Sequence, residues 1–92
     1  MRNGTVSIEY CPGCKWIFRA AWLAQEVLST FEANIEQVVL KPSDIPGTFI
    51  IHADNTAVWD REKDGGFPEA KMLKRRVRDV IFPEKDLGHS DK

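Results

Sequence analysis

The only two cysteines of the chain, Cys11 and Cys14, fall in one unit, Tyr10-Cys11-Pro12-Gly13-Cys14-Lys15-Trp16. A strand-like run precedes this unit and a strongly helical run follows it. The motif therefore demands a fold with a strand-to-helix junction that can hold two thiols side by side. At that spacing the thiols can close a small reversible disulfide ring. A helix N-terminus also favours the thiolate, because its backbone N–H groups point at the sulfur.

The flanking pattern supplies the junction. Thr5 to Tyr10 alternates, with Val6, Ile8 and Tyr10 on one face and Thr5, Ser7 and Glu9 on the other, as in a strand buried on one side. From Cys14 to Phe31 the residues Ile17, Ala20, Ala21, Ala24, Val27, Leu28 and Phe31 recur at helical spacing. Pro12 suits the first helical turn, where a missing N–H costs nothing, and the helix is expected to end near Asn34. Ile35 to Leu40 reads as a second strand. A helix between two strands is a crossover, so these strands should be parallel, with a right-handed connection.

Thr48 to Ala53 and Thr56 to Asp60 read as two more strands around the turn residues Asp54-Asn55, a hairpin pattern. Residues 61–67 read as a loop. Pro68 then opens a last helix with the stripe Ala70, Leu73, Val77, Val80 and Ile81. Pro83 ends it. The expectation is one domain over residues 5–82 and a polar, mobile tail over 83–92. The order is β-α-β-β-β-α. Alternation in the first strand, and in Phe49, Ile51 and Ala53, places both helices on one face of a mixed four-stranded sheet. That is an α/β two-layer sandwich of the thioredoxin-like kind, with its other sheet face open or covered by a partner.

Composition excludes several roles. The 92 residues suit one small domain, and 42% hydrophobic with 29% charged residues is ordinary for a globular chain. The net charge of −1 contains no long single-sign block, which argues against nucleic-acid or membrane-surface binding. No apolar run approaches a membrane span. The N-terminus runs into a strand without an apolar leader, so the expected location is the cytoplasm, where a close cysteine pair is redox-active or metal-binding rather than structural.

Three readings of Cys11 and Cys14 compete. A thiol–disulfide site needs a thiolate, which the helix terminus and Lys15 would favour, and a second sulfur to resolve a mixed disulfide. A copper- or zinc-holding clamp is the main alternative. Copper-carrying domains of this size usually end on a further strand, whereas Pro83 and a polar tail follow the last helix here. Zinc normally takes four ligands, and only His52 and His89 could join the cysteines. His52 reads better as a strand histidine, so no metal site is assigned. Two merely buried cysteines form the third reading.

Other residues bear on the site. Trp16, Trp22 and Trp59 read as packing residues first, although Trp22 falls off the helical stripe. The basic face Lys71, Lys74, Arg75, Arg76 and Arg78 reads as solvated, with the capacity to steer an anionic thiol such as glutathione. In thioredoxin-like folds the loop entering the third strand approaches the thiols, often through a cis proline. Here that loop is Ile45-Pro46-Gly47-Thr48-Phe49, and trans is the default for its X–Pro bond. Gly65-Gly66-Phe67-Pro68 enters the last helix at the same end. Its glycines would admit a partner's backbone and Phe67 an apolar contact. Pro46, Gly66 and Phe67 are thus the candidate substrate-binding residues.

These segments together resemble the selenoprotein W-related family, which includes selenoproteins T and H, in its cysteine-containing bacterial form. The matching pieces are Val6 to Cys14, Gly47-Thr48-Phe49, the hairpin to Trp59, and Gly65-Gly66-Phe67-Pro68-Glu69 leading into Leu73 to Asp79. The resemblance covers about Val6 to Ile81. It implies a thioredoxin-like fold and a role in redox homeostasis, with glutathione or a protein disulfide as partner and no tightly bound cofactor. It also bears on which sulfur attacks. By analogy with thioredoxins, Cys11 would be the nucleophile. In selenocysteine-containing members selenium occupies the second position, here Cys14, and the family pattern makes Cys14 the favoured nucleophile with Cys11 resolving. A redox-controlled binding module without turnover would need the same pair.

Overall fold

The computed structural model describes residues 2–85. Residues 86–92 of the expected tail, His89 among them, lie outside the described residues. β1 (Thr5–Tyr10) has the expected alternation, with Val6, Ile8 and Tyr10 buried. It pairs in parallel with β2 (Gln37–Pro42) and antiparallel with β3 (Phe49–Ala53), which pairs antiparallel with β4 (Thr56–Asp60). The sheet order is β2-β1-β3-β4. Helix α1 (Ile17–Phe31) packs on β1 and β2, α3 (Ala70–Ile81) packs on β3 and β4, and the two helices touch.

The expected mixed sheet with both helices on one face is the observed architecture, a thioredoxin-like two-layer sandwich. Inward residues of β1 and β3 form a single core with Ala20, Leu23, Val27 and Phe31 of α1 and Leu73 and Val77 of α3. Full burial of each large aliphatic or aromatic member contributes about 1.5–3 kcal/mol. On the opposite face Thr5, Ser7, Glu9, Ile50 and His52 are half-buried, and no described helix covers them.

Several boundaries shift for identifiable reasons. The helix begins at Ile17, not Cys14, because Lys15 adopts a left-handed backbone at φ 62°. Residues 12–16 instead form a turn closed by Lys15 N–H to the Pro12 carbonyl (3.0 Å) and Trp16 N–H to the Cys11 carbonyl (3.4 Å). Pro12 thus lies in that turn and not in the first helical turn. At the far end, Asn34 and Ile35 N–H both donate to the Phe31 carbonyl at 2.8 Å, and Ile35 is a buried helix-end residue outside the strand. β2 runs on to Pro42, which an edge strand tolerates. In β4 the register jumps from Trp59 opposite Ile51 to Ala57 opposite His52, so Val58 is bulged and buried beside Trp59.

The segment read as a loop over 61–67 contains a short helix, α2 (Arg61–Asp64). The Asp60 side chain accepts from Glu62 N–H at 3.0 Å to cap it, and Gly65 ends it in the left-handed conformation. Asp64 accepts from Asp60 N–H at 2.9 Å and from Arg76 of α3 at 3.1 Å, tying α2 to both neighbours. α3 then starts at Ala70, two residues beyond Pro68.

Two substitutions test these constraints. Gly4 sits at φ +95°, and a Cβ there would lie 2.7 Å from Cγ2 of Ile81. Gly4→Ala is expected to destabilise the fold by more than about 1 kcal/mol, read as a lower urea midpoint. The second test concerns charge. The Asp60 N–H bond, followed by Arg76, holds the Asp64 carboxyl below its usual 3.8. Its stabilisation is therefore complete above pH 3.8 and lost as pH falls through the lowered folded value. Asp64→Asn should lower the melting temperature by a few degrees at neutral pH, and the gap should close in acid when melting is followed by circular dichroism.

Candidate functional site

β1 delivers Cys11 at its C-terminal end, one residue past Tyr10, whose carbonyl accepts from Ser43 N–H at 2.8 Å. Cys11 is 4% exposed. Cys14, at the outer side of the turn, is exposed. The two are joined as a disulfide with a Cα–Cα distance of 5.4 Å. α1 begins three residues later with no acidic side chain in its first turn and no side-chain cap. The positive end of the helix is therefore not neutralised by its own residues.

Trp16 anchors the turn to the core. Its ring meets Phe67 edge-on at 5.0 Å and Phe49 at 6.3 Å, and Phe49 meets Phe67 at 5.0 Å, also edge-on. Edge-to-face pairs of this kind each contribute about 0.5–1.5 kcal/mol beyond burial. The result is a rigid aromatic wall beginning two residues from Cys14. Gly66 positions Phe67 within it. Gly66 has φ +139°, its N–H donates to the Arg61 carbonyl at 3.0 Å, and its own carbonyl accepts from the Trp59 indole at 2.8 Å. An added Cβ at Gly66 would meet nothing within 4 Å, so glycine serves backbone conformation there rather than close approach.

Pro46 sits at the same end of the sheet, since Tyr10 pairs with Phe49 and the loop precedes Phe49. No described peptide bond is cis. Pro46 lines a shallow cavity of about 180 Å³ with Ile45, Thr48, Phe49, Asp60 and Glu62 among its walls. Neither cysteine lines it. The cavity meets the aromatic wall through Phe49. The expected substrate-binding residues are therefore gathered at one end of the sheet, with Phe67 on the wall and Pro46 in the cleft beside it.

Charge is arranged differently from the sequence pattern. Much of the basic face of α3 is committed inside the molecule. Lys74 pairs with Glu26 at 3.0 Å, Arg76 with Asp64 and the Val58 carbonyl, and Arg78 with Asp79 at 3.1 Å. The cations beside the aromatic wall are Arg19 and Arg61, which the sequence reading missed. The Arg19 guanidinium carbon lies 4.2 Å from the Phe67 centroid, and that of Arg61 lies 4.8 Å from the Trp16 centroid. A sequence signal for Arg61 existed in the Asp60 cap and Gly65 stop that bracket α2. Trp22 is 52% exposed, as its position off the stripe implied, whereas Trp16 and Trp59 pack. Among the described residues no three His, Cys, Asp or Glu side chains cluster as metal ligands, and no helix is long and apolar enough to cross a membrane.

The Rdx family model matches residues 5–79, which take in the disulfide, the aromatic wall and most of α3. No curated protein matches the chain. Among solved structures, a selenoprotein W-related protein from Vibrio cholerae is 49% identical with a TM-score of 0.83, covering 87% of this chain and 99% of that one. A protein from Bordetella parapertussis is 52% identical, also with a TM-score of 0.83, covering 87% of this chain and 100% of its own. Family and cysteine pair together support a redox-type role. On the match across residues 5–79, the chain belongs to the Rdx family of selenoprotein W-related proteins, in a form with cysteine at both positions of the motif.

Proposed function

We propose that the protein is a thiol–disulfide redox protein in which Cys14 attacks and Cys11 resolves. The observation that carries this reading is the unequal exposure of two bonded cysteines: Cys14 is open to solvent and Cys11 is 4% exposed. An incoming disulfide can reach the first sulfur and not the second. Attack needs a thiolate at Cys14, and the start of α1, three residues on and without a side-chain cap, is the group proposed to favour it.

The cycle balances without a cofactor. The Cys14 thiolate attacks a substrate disulfide RSSR, forming a mixed disulfide and releasing RS⁻. The Cys11 thiol, on losing its proton, attacks Sγ of Cys14, closes the protein disulfide and releases the second RS⁻. Two electrons pass from protein to substrate, and the two protons lost by the cysteines neutralise the departing thiolates. A reducing thiol runs the same steps in reverse. Glutathione or a protein disulfide is the proposed partner, cytoplasmic redox homeostasis the proposed setting, and turnover as an oxidoreductase the proposed mode.

Single serine variants test the assignment. Reduced Cys11→Ser protein, which keeps Cys14, should gain one glutathione from oxidised glutathione, as read by intact mass. Reduced Cys14→Ser should react at least about tenfold more slowly, because a buried thiol must open before attack. The opposite ranking would make Cys11 the nucleophile. Alkylation of Cys11→Ser across pH should give a thiol midpoint below the usual value of about 8.5. A midpoint at or above that value would remove the helix terminus from the mechanism.

A further inference from the structure

Two guanidinium groups stand on the aromatic wall with no polar partner among the described residues. Arg19 and Arg61 both contact the Phe67 ring, at 4.2 and 5.7 Å, and Arg61 also lies over Trp16 at 4.8 Å. Neither makes a hydrogen bond or ion pair to any described residue, and Nε of Arg61 is buried without a partner. Other arginines differ. Arg2 donates to the Glu32 carbonyl, Arg76 to Asp64, and Arg78 to Asp79. Nearby carboxylates are otherwise placed: Asp60 caps α2, Asp64 holds Arg76, and Asp60 and Glu62 line the Pro46 cavity.

A guanidinium is always charged, and leaving its buried donor unpaired is costly. Stacking on a ring satisfies its face but not its edge. Nε of Arg61 is closed to solvent, so the edge that suits a carboxylate is that of the Nη groups, which carry no partner among the described residues. We propose that Arg19 and Arg61 form a carboxylate-binding subsite beside Cys14, so that the protein selects disulfides carrying a carboxylate near the scissile bond. This rests on the thiol–disulfide reading above. The chemistry is unchanged: the bound anionic disulfide accepts two electrons from the Cys11–Cys14 dithiol and leaves as two thiols. The arginines hold the substrate and take no part in proton or electron transfer.

The test uses small symmetric disulfides of similar size and different charge. Reduced protein is mixed at low ionic strength with 3,3′-dithiodipropionate (dianionic), 2-hydroxyethyl disulfide (neutral) or cystamine (dicationic), and thiol release is followed. Each rate is divided by that of a free dithiol with the same compound to remove intrinsic reactivity. Wild type should prefer the dianion over the neutral compound by about tenfold, the scale of one charge-assisted hydrogen bond, with the dication slowest. Arg19→Gln and Arg61→Gln should each lower the dianion rate several-fold and leave the neutral rate unchanged, and added salt should shrink the wild-type preference. A second arm with peptides whose cysteine is flanked by Glu or by Gln, supplied as mixed disulfides, tells a polypeptide carboxylate from a free small one.

Charge preference in either arm that both variants reduce supports the subsite. Equal normalised rates for all charges in both arms overturn it while leaving the redox reading intact. A fall in neutral and anionic rates by the same factor in both variants assigns the arginines a structural role and also overturns it. Wild-type protein unreactive towards every disulfide would defeat the redox reading itself, and the subsite with it.

Discussion

β1 is hydrogen-bonded on both edges, to β2 through a parallel ladder and to β3 through an antiparallel one, while Val6, Ile8 and Tyr10 lie in the common core. This double pairing allows a chain of 92 residues to hold a reactive group firmly. A strand with two partners cannot slip by one residue without turning its apolar side chains outward. Cys11, the next residue after Tyr10, inherits that certainty of position. The loop before β3 and the wall residue Phe49 are brought to the same end by the same register.

The wall of Trp16, Phe49 and Phe67 converts sheet order into site order. It joins the turn after the cysteines, the start of β3 and the segment entering α3, which are remote in sequence. Its three ring pairs are edge-on contacts that fix orientation as well as proximity. The guanidiniums on it are held differently. A cation–π contact at a partly exposed site contributes only about 0.5–1 kcal/mol, enough to bias Arg19 and Arg61 without locking them.

Strand alternation makes the sheet and its buried face legible in the sequence, because period-two patterning in Val6-Ile8-Tyr10 and Phe49-Ile51-Ala53 directly reflects one-sided burial. The cysteine pair is legible as a disulfide-forming unit because its spacing brings the two sulfurs together. What escaped was set by backbone conformation or tertiary context. Nothing in the identity of Lys15 announces a left-handed residue, so the helix was read as starting at Cys14 instead of Ile17. The four residues of α2 are too few to display helical periodicity, although Asp60 and Gly65 mark its ends. Arg19 and Arg61 become a pair only when the fold brings α1 and α2 to one ring, while the more conspicuous cations of α3 prove engaged with Glu26, Asp64 and Asp79.

The left-handed Lys15 separates the disulfide from the scaffold that carries it. The covalent ring spans residues 11–14, and the helical ladder begins beyond it, with Ala20 N–H donating to the Trp16 carbonyl at 2.9 Å. None of the bonds of the α1 ladder, and none of the sheet pairing, runs through the ring. A ring of so few residues also removes less entropy from the unfolded chain than a long loop would. The cysteine unit thus acts as a fuse seated in a fixed holder. Under the proposed redox cycle, opening the ring would break none of those ladder bonds, and the change would fall on the turn that carries the exposed Cys14.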